Sequence, residues 1–245
     1  PHGNFAHNPE PLPQNLTELS SLMKNTKANV GFAVDPDVDR LVIYAENGEP
    51  FGEEYTLVAV SDYVLQHTPG NTVSNLSSSR ALKDITEKNG GTYEASAVGE
   101  VNVVAKMKAN NAVIGGEGNG GIIYPALHYG RDSLVGIALF LTYMAKSGKK
   151  VSELRASYPN YYMSKQKIEL TSEINIDKLL EAIKVKFKDE TITDIDGVKI
   201  DFPNKWVHLR KSNTEPIIRI YSEAPTMEEA QDIGKNIIDI IHSMI

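Results

Sequence analysis

Apolar runs broken by turn signals divide the chain into short strands and amphipathic helices. The first stretch, residues 1–15, is proline-rich with little periodicity and reads as an extended segment. Residues 16–24 put Leu16, Leu19, Leu22 and Met23 on one side of a short helix. Val30–Val34 and Leu41–Tyr44 are unbroken apolar runs, which predict two buried strands. A helical pattern covers 53–66. The middle then alternates: strand 72–76, helix 79–89 closed by Gly90-Gly91, strand 92–97, helix 99–110 and strand 112–115. A glycine-rich loop follows, then helices over 131–147 and 152–157. This βαβα order predicts an α/β domain. The last third reads as strand 165–170, helix 176–187, strands 191–195, 198–202 and 206–210, a polar loop and strand 217–221. Thr226 caps a final helix whose first turn carries Glu228 and Glu229, suited to the helix dipole. A sheet with two helices predicts a smaller α+β domain, with the boundary near 159–164.

Composition narrows the function classes. The chain has 245 residues, no cysteine and a net charge of −7. Disulfides, thiolate zinc sites and a cysteine nucleophile are therefore excluded. The acidic balance without a basic stripe argues against nucleic acid as a partner. The longest apolar stretch, Leu134 to Ala145, is too short to span a bilayer. A cytoplasmic enzyme with no membrane partner fits these features. The chain opens on Pro1-His2-Gly3-Asn4 rather than Met, and reads as a processed product or a piece of something longer.

Three polar loops carry the chemistry. Asp35-Pro36-Asp37-Val38-Asp39-Arg40 sets three carboxylates at alternate positions between two strands. Like charges this crowded need a positive partner. A hard divalent cation with oxygen ligands is one candidate and Arg40 another. A solvated Asp-rich turn is the bland alternative, and the better one for an arbitrary sequence of this form. A calcium loop of EF-hand type needs Gly where Arg40 stands, and helical flanks.

Gly116-Glu117-Gly118-Asn119-Gly120-Gly121 matches G-x-G-x-x-G after a strand. A dinucleotide site would open a helix on these glycines. Here the extended Ile122-Ile123-Tyr124-Pro125 follows, so that reading is rejected. Glu117 and Asn119 suit sugar hydroxyls, and a plain glycine turn is the alternative. In the third loop, Arg210-Lys211-Ser212-Asn213-Thr214-Glu215-Pro216, a guanidinium stands beside hydroxyls, an amide and backbone N–H groups, with Arg219 on the next strand. That is the make-up of a phosphate clamp; a polar hairpin is the alternative.

Taken in this order, the three loops resemble those of the α-D-phosphohexomutase superfamily, which includes phosphoglucosamine mutases, phosphomannomutases and phosphoglucomutases. The likeness runs over the whole chain. It implies a mixed-sheet α/β domain followed by a smaller α+β C-terminal domain of TATA-box-binding-protein-like form. The implied division is 1–50 (the end of domain two, with the metal loop), 51–160 (domain three, with the sugar loop) and 161–245 (domain four, with the phosphate loop). It also implies Mg2+ on Asp35, Asp37 and Asp39, with Arg40 assisting. Glu117, Asn119, Arg210, Ser212, Asn213, Thr214 and Arg219 become substrate-binding residues. The sequence departs from the family pattern twice: Val38 stands where the metal loop usually has Gly, and Gly121 where many members end the sugar loop with His.

The family's reaction interconverts hexose 6-phosphate and hexose 1-phosphate through an enzyme phosphoserine and a hexose 1,6-bisphosphate. The serine lies in a Thr-x-Ser-His-Asn-Pro motif that this sequence lacks. The expectation is that the nucleophile belongs to missing N-terminal domains of the same polypeptide, and that the fragment is inactive and binds metal weakly. Glu100 is a candidate general base, with helix capping as its ordinary role, and His128 is a weaker candidate. Glucosamine, mannose and glucose phosphates all remain open as substrates. A sugar-phosphate and metal binding module, or a metal-dependent phosphatase or nuclease, are the alternatives.

Overall fold

The α/β part is built by elements that bury apolar faces against one another. In the computed structural model, residues 3–169, 175–212 and 217–244 are described. The chain forms two compact units, Pro1–Pro159 and Asn160–Ile245.

The first unit opens with helix α1 (Thr17–Asn25), followed by strands β1 (Val30–Val34) and β2 (Leu41–Ala45). β1 and β2 pair antiparallel, Val34 opposite Leu41, so the Asp loop is the turn of a hairpin. Every residue of β2 is buried, but β1 is largely half-exposed and Val34 is 39% exposed. The expected burial of β1 is thus corrected. Its apolar run pairs with β2 along one edge only, and within it only Gly31 is buried, beneath Met23.

Helix α2 (Glu53–His67) is buried continuously from Tyr55 to Leu65 and runs through the centre of the unit. Such all-round burial is what an apolar, weakly sided helix requires. Its Asp62 accepts hydrogen bonds from the Tyr143 and Tyr158 hydroxyls, both 3.0 Å. Around α2 lie β3 (Asn71–Asn75), α3 (Ala81–Lys88), β4 (Tyr93–Ser96), α4 (Glu100–Asn110), β5 (Ala112–Glu117) and β6 (Gly121–Ile123). The sheet order is β4-β3-β5-β6; β3 is parallel to both neighbours, and β6 runs antiparallel to β5. Helices α5 (Ser133–Ser147) and α6 (Val151–Ala156) complete the unit. The pattern over 131–147 predicted a helix from Arg131, but Asp132 is the N-cap, accepting from the N–H groups of Leu134 and Val135. Arg131 lies outside α5, in an isolated bridge to Ile123.

The second unit holds β7 (Tyr162–Glu169), α7 (Ile176–Lys186), β8 (Thr191–Thr193), β9 (Val198–Asp201), β10 (Trp206–Lys211), β11 (Ile217–Ala224) and α8 (Met227–Met244). Its sheet is wholly antiparallel, in the order β7-β11-β10-β9-β8. Ile183 of α7 and Ile233, Ile237 and Ile241 of α8 share one core with Val207 and Leu209 of the sheet. No helix among the described residues is long and apolar enough to cross a membrane.

Candidate functional site

The hairpin turn gathers its carboxylates through the backbone. Asp35 is 2% exposed. Its Oδ1 accepts the N–H groups of Asp39 (3.1 Å) and Arg40 (3.0 Å), and its Oδ2 accepts Arg40 Nε at 2.6 Å. Burial alone would raise the Asp35 pKa, but the backbone and guanidinium of Arg40, with Asp39, outweigh it and hold the group at about 2. Asp37 is exposed. Asp39 is pushed the other way: burial and the charges of Asp35 and Asp37 raise its pKa against the opposing pull of Arg131.

Asp35, Asp37 and Asp39 each offer an oxygen within 4.8 Å of the others, and Asp39 Oδ1 is buried with no hydrogen-bond partner. A buried carboxylate oxygen with no hydrogen bond, beside two further carboxylates, fits a hard divalent cation such as Mg2+. Arg40 is spent on the loop itself, paired to Asp35, with Asp39 Oδ1 at 3.8 Å from its Nε and Glu10 at 4.0 Å.

Val38 takes the left-handed conformation, φ +62°. The turn is closed by its N–H to the Asp35 carbonyl, 3.1 Å, and its own carbonyl accepts both the N–H (3.2 Å) and the hydroxyl (2.7 Å) of Ser133. The start of α5 therefore pins the Asp loop.

The glycine-rich loop is the β5–β6 hairpin, and the chain leaves it as an extended strand rather than opening a helix on the glycines. Leu41 N–H donates to the Gly120 carbonyl at 3.2 Å, splicing this loop to the base of the Asp loop. Only glycine fits there: φ is +83° and a Cβ would run into the Leu41 carbonyl. Glu117 is 5% exposed. Its Oε1 accepts Asn75 Nδ2 at 2.8 Å and Gly99 N–H at 3.3 Å, and its Oε2 accepts Arg131 Nη1 at 2.6 Å. Asn119 is partly exposed, its Oδ1 accepting Gly121 N–H at 3.2 Å.

Arg131 is the residue that sequence reasoning missed. Its Nη2 pairs with Asp39 and its Nη1 with Glu117. Its Nε lies 3.4 Å from Glu100 Oε2, and its backbone N–H donates to Glu100 Oε1 at 3.0 Å. Three of the predicted site residues, Asp39, Glu117 and Glu100, thus meet at one guanidinium, on a residue that the helical spacing assigns to the start of α5. The available signal was an arginine wedged between Gly130 and the capping Asp132. His128 instead serves that cap: its ring Nε2 and Asp132 Oδ2 are 3.0 Å apart.

In the second unit, Arg210 lies one residue before the end of β10, with its Nε held by Asp196 at 2.9 Å. Arg219 is exposed on β11 directly opposite Arg210 in register. Like charges facing each other across a ladder repel; the Asp196 carboxylate offsets this at Arg210, and a bound anion would offset it further. Ser212 is buried, its N–H donating to the Ile217 carbonyl at 3.0 Å. Asn213 and Thr214 lie outside the described residues.

Comparison with known proteins agrees with this geometry. Three models of one family match in succession. The "Phosphoglucomutase/phosphomannomutase, alpha/beta/alpha domain II" model matches residues 1–48, domain III matches 52–162, and the C-terminal domain matches 166–240. The chain is 40% identical over 237 residues to a phosphoglucomutase/phosphomannomutase of Thermococcus kodakarensis, covering 95% of this chain and 51% of that one. It is 30% identical to a probable phosphoglucosamine mutase of Methanopyrus kandleri, covering all of this chain and 55% of that one. A crystal structure of a phosphoglucomutase/phosphomannomutase family protein from Burkholderia thailandensis superposes with a TM-score of 0.81 at 25% identity, over 96% of this chain and 52% of that one. The chain spans about half the length of these relatives. Loop chemistry, topology and three consecutive domain matches agree that the chain belongs to the phosphoglucomutase/phosphomannomutase family, the phosphohexomutases.

Proposed function

We propose that this chain carries the cation site and the hexose-phosphate-binding loops of a phosphohexomutase that interconverts hexose 6-phosphate and hexose 1-phosphate. The observation that carries the reading is the buried Asp39 Oδ1, which has no hydrogen bond, in a three-carboxylate turn that is joined through Arg131 to Glu117 of the glycine-rich loop. Mg2+ held by Asp35, Asp37 and Asp39 would neutralise charge during phosphoryl transfer.

Around it, Arg40 fixes Asp35. Glu117 and Asn119 accept and donate hydrogen bonds to hexose hydroxyls. Arg210, Ser212 and Arg219, with Asn213 and Thr214, hold the phosphate that is not reacting. In the reaction, a phosphoserine gives its phosphoryl group to a hexose hydroxyl, whose proton is lost, and the bisphosphate returns its other phosphoryl group to the serine. Glu100, whose carboxylate also contacts Arg131, is the candidate base for that proton.

These 245 residues contain no Thr-x-Ser-His-Asn-Pro motif. The reading therefore has this chain bind substrate without turning it over. Phosphorus NMR of the chain with Mg2+, glucose 1-phosphate and glucose 1,6-bisphosphate tests it. The expected result is no interconversion and no inorganic phosphate. Interconversion would show that the serine is not needed; inorganic phosphate alone would make the protein a phosphatase.

A further inference from the structure

Gly121 and Arg131 fit each other across the β6 edge. A Cβ on Gly121 would collide with Arg131 Cδ and come within 3.1 Å of its Cγ. The aliphatic stem of Arg131 thus occupies the space that any side chain at 121 would need. The guanidinium, on a side chain only 20% exposed, lies among Asp39, Glu117 and Glu100. It takes Oδ2 of Asp39, which leaves Oδ1, buried, without a hydrogen bond and 3.8 Å from Arg40 Nε, as the atom open to a cation. It takes Oε2 of Glu117, whose other oxygen is held by Asn75 and Gly99. A planar fork holds two carboxylates in a fixed relative geometry; a lysine ammonium can touch two but, as a point charge on a flexible stem, does not fix their orientation.

We propose that Arg131 is a positioning residue which, seated in the space left by Gly121, couples the metal loop to the sugar loop so that cation binding at Asp39 sets the orientation of Glu117. This rests on the proposed cation site. The coupling needs a continuous physical link between the two loops, and the guanidinium provides it through its two terminal nitrogens.

Amide NMR during a Mg2+ titration of the chain reads the link directly, without catalysis. The Gly99 N–H and the Asn75 side-chain amide report the Glu117 carboxylate, and the backbone amides of Val38 to Arg40 report the metal loop. In the wild type both sets shift with a common midpoint. In Arg131→Met the metal-loop signals still respond, while the response at Gly99 and Asn75 is lost. Arg131→Lys keeps the charge but does not restore it. Gly121→Ala, which leaves the arginine in the chain but displaces its stem, weakens it, and so covers the case in which Arg131→Met does not fold. An undiminished response at Gly99 and Asn75 in the Met or Ala variant, or full rescue by Lys, overturns the coupling. A wild-type metal loop that never responds overturns the cation site instead, and the coupling with it.

Discussion

Val38 holds a backbone conformation that a β-branched residue resists, at a cost of about 1–2 kcal/mol. Glycine would remove that strain while giving the unfolded chain roughly 0.5–1 kcal/mol of extra entropy. Val38→Gly should therefore raise the stability of the first unit by up to about 1 kcal/mol, read as a higher urea midpoint; a lower midpoint would show that Val38 is not strained. Asp35→Asn should do the reverse. It removes the charge that holds the Arg40 guanidinium and weakens three hydrogen bonds in a buried setting, a loss of roughly 1–3 kcal/mol by the same measurement. The sequence flagged Val38 as a departure from the usual loop, but only the φ angle shows that valine adopts the glycine-like turn rather than altering it.

At the scale of elements, the site depends on where α5 begins. Ser133 is fully buried and reaches the Val38 carbonyl with both its N–H and its hydroxyl. Ser133→Ala deletes the hydroxyl bond alone, and should cost about 1 kcal/mol and weaken Mg2+ binding while α5 stays helical, since Asp132 still caps it. Calorimetry together with circular dichroism checks both halves. Most element types were legible because periodicity and turn residues agree along this chain: the alternation of β3 to β5 with α3 and α4, and the extended run after Gly121, followed from pattern alone. The start of α5 did not. Arg131 continues the helical spacing, whereas the backbone is governed by the Asp132 cap and the bridge to Ile123. Those contacts are long-range, so the meeting of Asp39, Glu117 and Glu100 could not be read from spacing. Nor could the exposure of β1, which depends on which edge of its hairpin is covered.

At the scale of the molecule, the second unit carries its own pH signature. His208 is buried, and its Nε2–H donates to the Asp196 carbonyl at 2.6 Å. Burial, with Lys199 and Arg210 nearby, holds its pKa at about 4, below the ordinary 6.5. The unfolded chain then binds a proton that the native state refuses. Stability is fully present above about pH 6.5 and falls progressively to pH 4, by about 3 kcal/mol in all. The single tryptophan, Trp206, is buried in this unit, so its fluorescence follows the unfolding. His208→Gln should flatten the pH dependence between those limits, and an unchanged slope would assign it to other groups. The central claim, that the chain binds a hexose phosphate through its clamp arginine, is tested most directly by calorimetric titration of glucose 1,6-bisphosphate into the Mg2+-saturated chain, wild type against Arg210→Ala. Saturable one-site binding is expected, weakened by roughly tenfold or more when the guanidinium is removed; a flat wild-type isotherm, or equal affinity in the variant, would overturn the claim.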